Sequence, residues 1–422
     1  MKEKKFKKVI VAHPAQQHSY KLASAIKGVD MLEAYCTTVY YRKDKLLYKF
    51  LGAVLGKNNI KKMKGRRLIF LEDRLKQFNE ILGLFYIMLY RIDKKDIICT
   101  KIYNILVHKF GVNVAKLALK TNSDAVILYD STAYSCFEKL KYKKVIKIID
   151  MSSIPNPCIK DIIINDMGKS GSLGVIYNDK IKSYTDYINN RAIKEIELAD
   201  YFLAPSNFVK GKLLSLGVKE EQIYLNPFGV DIEKFKPVIR QNKKNNDRIR
   251  FLFVGRLEPA KGIYYLLEAF KELNNKNIEL VIAGKKMGND ELYSEYEEYF
   301  TYVGTKIASE MPDLYNSCDI FICPSLWEGL SLSSLEAMAS ALPVIVTESS
   351  GVNDLVCNGK EGFIIPAQNI EALKEKIVWF IENRDKINEM GINARKCAEK
   401  YSWDIYYSNV QKNIKDIMSR NN

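Results

Sequence analysis

The 422-residue sequence has three histidines and eight scattered cysteines, and neither type forms a metal or redox pattern. Zinc sites announce themselves as closely spaced Cys or His pairs, and dithiol redox centres as Cys-x-x-Cys. Cys36, Cys99, Cys136, Cys158, Cys318, Cys323, Cys357 and Cys397 contain neither. They read as small core residues in a reducing compartment, Cys323 inside the apolar run Ile320–Cys323 being an example. Long hydrophobic runs are also missing. The longest, Ile81–Tyr90, falls well short of the about 20 residues a spanning helix needs. After the charged N-terminus only Val9–Ala12 is apolar, too short for a signal peptide, so a cytoplasmic protein is expected. There is no internal repeat of about 20–50 residues. No helix-turn-helix, zinc-finger or RNA-recognition pattern occurs, which argues against a nucleic-acid partner.

What is present is a globular composition, 47% hydrophobic and 27% charged, with an uneven charge distribution. Residues 1–250 hold 47 Lys and Arg against 25 Asp and Glu, a net +22; residues 251–422 hold 18 against 25, a net −7. The basic half suits an anionic surface or substrate, such as acidic phospholipid or a lipid-linked pyrophosphate. The run Ile81–Tyr90 lies between the basic stretch Lys57–Arg67 and Arg91, Lys94 and Lys95. That arrangement fits a segment lying on an anionic membrane at the inner face of the cell. A buried core helix with solvated flanks is the other reading.

Along the chain, apolar strands alternate with helices twice over. Lys7–Val11, Ala125–Tyr129, Lys144–Ile149, Tyr201–Ala204 and Ile223–Leu225 are expected strands, and Tyr40–Lys120 reads as mostly helical. Ser206 is an expected N-cap, and Gly217 stops its helix. The polar stretch Gln241–Asn246 reads as a linker. A second series follows: strands Ile249–Val254, Ile278–Ala283, Ile320–Cys323 and Pro343–Thr347, with helices Gly262–Leu273 and Leu332–Ser340. Three helices close the chain, Ile370–Ile381, Arg384–Lys400 and Trp403–Met418. The pattern predicts an α/β protein of two doubly wound, Rossmann-like domains facing a cleft. The expected domains are residues 1–238, completed by 403–422, and residues 239–402.

The densest chemical signal is the segment from Ser325 to Ala339. A strand ends at Cys323, Pro324 turns the chain, and a helix begins near Ser331. Free N–H groups at a helix start suit phosphate. Glu328 lies in the loop before the helix and Glu336 inside it. Like charges repel, so these acids do not bind phosphate; they suit hydroxyls on either side of a pyrophosphate. The Glu-x7-Glu spacing resembles that of retaining glycosyltransferases of family 4, which have the GT-B fold. The resemblance covers most of residues 200–405. Asn226–Asp231, Phe253–Gly262, Val281–Gly284, Tyr302–Gly304 and Tyr401–Trp403 are similar to further segments of that family.

The resemblance implies a nucleotide diphosphate sugar as donor and no obligatory cofactor. Glu328 would contact donor-sugar hydroxyls, Glu336 the ribose, and Gly329 with the amides of Leu330, Ser331, Leu332 and Ser333 the sugar and a phosphate. Arg256 and Lys261 would neutralise the departing diphosphate, a role that charge alone also suggests. The Asp-x-Asp of the other major glycosyltransferase fold is absent, so no metal is expected. Two of the three histidines, His13 and His18, lie in the loop after the first strand, where the family has a glycine-rich turn. Either would suit an acceptor hydroxyl or a phosphate, and helix capping is the structural alternative. The family's usual histidine after a central strand is missing from Ile148–Ser153; Asp150, Ser152 or Asp130 are the stand-ins. Glu195 and Glu197 read as solvated, with one of them lining the cleft as the other reading, and His108 reads as structural. Alternatives to a sugar transferase are a GT-B phosphorylase, a nucleotide-sugar epimerase, and a non-catalytic sugar-nucleotide-binding partner in a biosynthetic complex.

Overall fold

Strands made of unbroken apolar residues bury both faces, which requires helices on both sides of a parallel sheet. The computed structural model describes residues 7–41, 69–89, 97–177, 186–238 and 248–421 and builds two such sheets. The first contains β1 (Val9–Ala12), β2 (Leu32–Thr37), β3 (Leu75–Gln77), β4 (Ala125–Tyr129), β5 (Ile146–Asp150), β6 (Tyr201–Ala204) and β7 (Ile223–Leu225). Its order is β3-β2-β1-β4-β5-β6-β7, and every pairing is parallel. The second contains β8 (Ile249–Val254), β9 (Ile278–Ala283), β10 (Thr301–Gly304), β11 (Ile320–Cys323), β12 (Val344–Thr347) and β13 (Gly362–Ile365). It repeats the same order, β10-β9-β8-β11-β12-β13, again all parallel. Strand order reverses between β1 and β4 and between β8 and β11. Ligands of doubly wound sheets bind outside the carboxyl ends of strands at such points.

Along the helix Ile263–Leu273, residues Ile263, Leu266, Leu267, Phe270 and Leu273 fall at i, i+3, i+4, i+7 and i+10; the first four are buried and Leu273 is half-buried. Ser206 caps the helix Asn207–Ser215 by accepting the Val209 N–H at 3.3 Å. The last helix, Trp403–Arg420, returns to the first sheet. There it packs on the helix Ser19–Lys27, and Gln411 donates to the Ala25 carbonyl at 3.0 Å. Tyr224 OH on β7 donates to Asp416 of that last helix at 2.5 Å.

The described part of Tyr40–Lys120 is mostly helical, with one short strand, Leu75–Gln77, that extends the sheet edge by pairing with Tyr35–Thr37. β2 and β13 carry polar or glycine residues that hid their strand character in the sequence. Residues 81–89 are not a buried core helix: in the helix Glu80–Leu89 only Gly83 is buried. The basic stretch Lys57–Arg67, Tyr90, Arg91, Lys94, Lys95 and the linker Gln241–Asn246 lie outside the described residues.

Candidate functional site

The β11 strand ends at Cys323, and the helix Leu332–Ala339 begins nine residues later, with Ser331 as its N-cap accepting the Ser334 N–H at 3.3 Å. The intervening loop is fixed from below. Thr347 Oγ1 donates to the Ser325 carbonyl at 2.5 Å, Glu328 N–H to the Ser349 carbonyl at 2.9 Å, and Ser331 N–H to the Ser350 carbonyl at 3.1 Å. The Ser331 amide is therefore already engaged. Leu330, Leu332 and Ser333 keep N–H groups that no acceptor takes among the described residues, at the positive end of the helix.

Glu328 is mostly buried and pairs with Lys261, which follows β8. Ser325 Oγ donates to the same Glu328 oxygen at 3.0 Å. Burial pulls the Lys261 pKa down, but the Glu328 charge and hydrogen bond outweigh it, and the net shift is upward. The β8 and β11 loops touch at Gly262 (φ +68°), where a Cβ would overlap the Pro324 carbonyl. Only glycine allows that approach. Arg256 stands at the carboxyl end of β8, 54% exposed, with Nη2 2.9 Å from the buried Glu258. Glu336 lies one face further along the helix and accepts the Tyr315 OH at 2.9 Å. Burial raises its pKa, opposed by that bond and by Lys234. A carboxylate so placed accepts hydrogen bonds from hydroxyl donors, as it does from Tyr315.

The opposing wall comes from the first sheet. Asp130, just after β4, accepts both Ser152 N–H at 2.7 Å and Ser152 Oγ at 2.6 Å; burial raises its pKa against those bonds. The Ser152 carbonyl faces Gly329 so closely that a Cβ on Gly329 would overlap it. Ser206 Oγ donates to the Gly329 carbonyl at 2.6 Å. Thus the loop after β11 and the β5 and β6 ends of the first sheet meet directly. Asp150 is buried, and His18 Nε2 lies 3.1 Å from its Oδ2. The His18 ring packs on Phe228 (centroids 4.4 Å) and on the edge of Tyr129 (5.1 Å).

His13 differs from His18. It is buried, its Nδ1 accepts the Ala15 N–H at 2.9 Å, and it meets Tyr129 edge-on. Burial drives its pKa down to about 4, with help from His18. His13 is a neutral imidazole that shapes its own loop. The helix after His18 receives no side-chain cap from it, so capping does not explain that residue.

Glu195 corrects a further expectation. It is buried, and its two oxygens accept the Ser131 and Tyr134 N–H groups, both at 2.8 Å. Burial raises its pKa to about 7, against these bonds and Arg191. Its spacing with buried Ala192 and Ala199 (i, i+3, i+7) was the available signal. Glu197 is exposed as expected. His108 Nδ1 meets Ser135 Oγ at 3.0 Å on the helix Ile97–Lys120. Sequence reasoning also missed Asp166, whose buried carboxylate accepts Tyr177 OH (2.8 Å), Ser170 Oγ, Tyr265 OH and Gln368 Nε2 (2.7 Å). The last two come from the second sheet's side, so Asp166 ties the two halves together behind the cleft.

Two parallel sheets of this order, joined across a cleft and completed by a returning C-terminal helix, define a GT-B fold. Solved structures agree along nearly the whole chain. A glycosyltransferase from Rickettsia africae superposes with TM-score 0.63 at 17% identity, covering 98% of this chain and 99% of that one. HepE from Anabaena in complex with UDP gives TM-score 0.63 at 15% identity, covering 98% and 100%. Residues 235–397 match the model of the family described as Glycosyl transferases group 1. The capsular polysaccharide biosynthesis glycosyltransferase CapM of Staphylococcus aureus is 30% identical over 226 residues, 50% of this chain and 60% of CapM. A UDP-Gal:alpha-D-GlcNAc-diphosphoundecaprenol alpha-1,3-galactosyltransferase of Escherichia coli is 30% identical over 203 residues, 44% of this chain and 51% of that protein. The matched regions thus span roughly half to three fifths of these relatives' lengths.

Proposed function

We propose that the protein is a retaining glycosyltransferase of family 4 type, moving a hexose-type sugar from a nucleotide diphosphate to an acceptor in surface-polysaccharide assembly. The observation that carries this reading is the Lys261–Glu328 pair at the β8 and β11 ends, beside a helix start with unengaged N–H groups and facing Ser152. In the proposed complex Glu328 turns to the donor sugar's hydroxyls and releases Lys261 to the diphosphate, with Arg256 beside it. Glu336 holds the ribose, and Gly329 with the loop amides holds sugar and phosphate. The bond from the anomeric carbon to the phosphate oxygen breaks, and the acceptor oxygen attaches from the same face. The acceptor proton passes to the leaving phosphate, while His18, held by Asp150, orients the acceptor hydroxyl. Residues 1–238 with 403–422 form the acceptor domain, and 239–402 the donor domain. A uridine nucleotide is the first choice of donor, since the HepE complexes hold UDP and the Escherichia coli relative is named for UDP-Gal. That relative's name also supports a lipid-linked acceptor, and the proposal places the protein at the inner face of the membrane that would hold such an acceptor.

The test is a panel of UDP-, GDP-, ADP- and dTDP-sugars scored for thermal stabilisation and nucleotide release. A UDP-sugar is expected to respond, and Glu328→Ala and Glu336→Ala to weaken that response while leaving the fold intact. Silence toward every donor would reject the reading. Unchanged turnover in both variants would remove the site. Proton NMR of the product's anomeric signal decides retention.

A further inference from the structure

The helix Glu80–Leu89 puts Ile81, Phe85 and Met88 at i, i+4 and i+7, a single face. That face is turned outward: the three residues are 78%, 49% and 49% exposed. Its other side is anchored. A Cβ at Gly83 would lie 2.8 Å from Thr38 Oγ1 and 2.9 Å from Val39 Cγ2, so the helix sits hard against the end of β2. The neighbouring helix Ile97–Lys120 adds exposed Ile105 between exposed Lys101 and Lys109, one turn away on either side. In its 24 residues it carries Lys101, Lys109, Lys116 and Lys120 and no carboxylate. Between the two helices lies a groove of about 540 Å³ lined by Asn79, Glu80, Ile81, Leu82, Phe85 and Lys109. Apolar side chains beside lysines, with Glu80 the one acid of the two helices, match the interface of an anionic bilayer: tails for the apolar groups, phosphates for the ammonium groups.

We infer that this face docks the protein on an anionic lipid surface, with an acyl chain seated in the groove and a headgroup phosphate at Lys109. The face also connects to the candidate acceptor loop. Gly83 packs on Thr38, and the Thr38 hydroxyl donates to the carbonyl of Pro14, which follows His13. A membrane held on this helix therefore lies against the support of the His13–His18 loop. The inference deepens the proposal of a lipid-linked acceptor, but its physical basis is independent of the donor site.

The test uses the full chain in flotation with two vesicle types: phosphatidylcholine alone, and phosphatidylcholine with phosphatidylglycerol. Flotation is expected with the second type, weakening as salt rises, because exposed charges are screened. Ile81→Ser with Phe85→Ser, and separately Lys101→Glu with Lys109→Glu, are expected to weaken it at least about ten-fold each. These positions are exposed, so both variants are expected to keep the wild-type melting temperature and the wild-type response to UDP-sugars. Absence of flotation by folded wild-type protein would overturn the inference. So would flotation indifferent to both double variants, or concentration-dependent self-association abolished by Phe85→Ser, which would make the face an interface between copies. A protein that floats but ignores every donor would keep this inference and remove the transferase reading.

Discussion

The two walls of the cleft are built in opposite ways. The wall proposed to bind the donor is local: Glu328, the loop amides and Glu336 come from one loop and one helix, and only Lys261 and Arg256 arrive from a second strand end. The wall opposite is assembled from distant segments, His18 after β1, Asp130 after β4 and Asp150 with Ser152 at the end of β5. Charge is handled differently too. On the proposed donor side a mostly buried ammonium and carboxylate, Lys261 and Glu328, neutralise each other. On the other side the carboxylates are satisfied by Ser152 and His18, and His13 is kept neutral. A wall with exchangeable ion pairs suits an anionic ligand that comes and goes. A wall of buried, fixed hydrogen bonds suits orientation.

The sharpest way to break this contrast is Lys261→Ala. If the donor side works through its charge, the variant loses turnover by about 10²–10³-fold, because a cation at a departing diphosphate acts mainly in the transition state. Steady-state nucleotide release measures it, and a change in KM alone would place Lys261 in ground-state binding instead. Asp150→Asn should cost less, about 10–10²-fold in kcat, since Asp150 acts through His18. If the pairing positions the ring, the pH profile of kcat shifts in Asp150→Asn while donor affinity stays constant. A loss confined to thermal stability would make the pair structural. The smallest effect concerns His13. Its folded pKa, about 4, lies below the ordinary 6.5, so the unfolded chain takes up the proton first. Its contribution to stability is therefore complete above pH about 6.5 and is lost as pH falls toward 4. Urea midpoints at pH 4.5 and 7 should diverge less in His13→Gln than in the wild type.

Much of the fold was readable because parallel strands buried on both faces are apolar without interruption. Ala125–Tyr129, Tyr201–Ala204, Ile249–Val254, Ile278–Ala283 and Ile320–Cys323 have the bounds their composition indicates. β2 escaped because Glu33 interrupts it, and β3 because Leu75–Gln77 is a short edge with polar residues. Glu195 looked solvated because glutamate usually is. Its helical spacing with Ala192 and Ala199 points inward, but the two backbone N–H groups that satisfy it come from a segment about 60 residues earlier, which that spacing does not reveal.

The proposed donor motif lay within reach of the sequence because its geometry is local. A strand end, a turn at Pro324 and a capped helix start determine where residues eight apart stand, whatever surrounds them. The composition likewise determined that residues 1–250 are basic and that the run Ile81–Tyr90 is too short to span a bilayer. Only the tertiary structure decided that His18 meets Asp150 from 132 residues away and that Ser152 stands against Gly329. It alone joined Asp166 to Gln368 across 202 residues and left Phe85 facing outward. Those relations depend on sheet order and on how the two sheets dock, and neither is encoded in the spacing of residues along one segment.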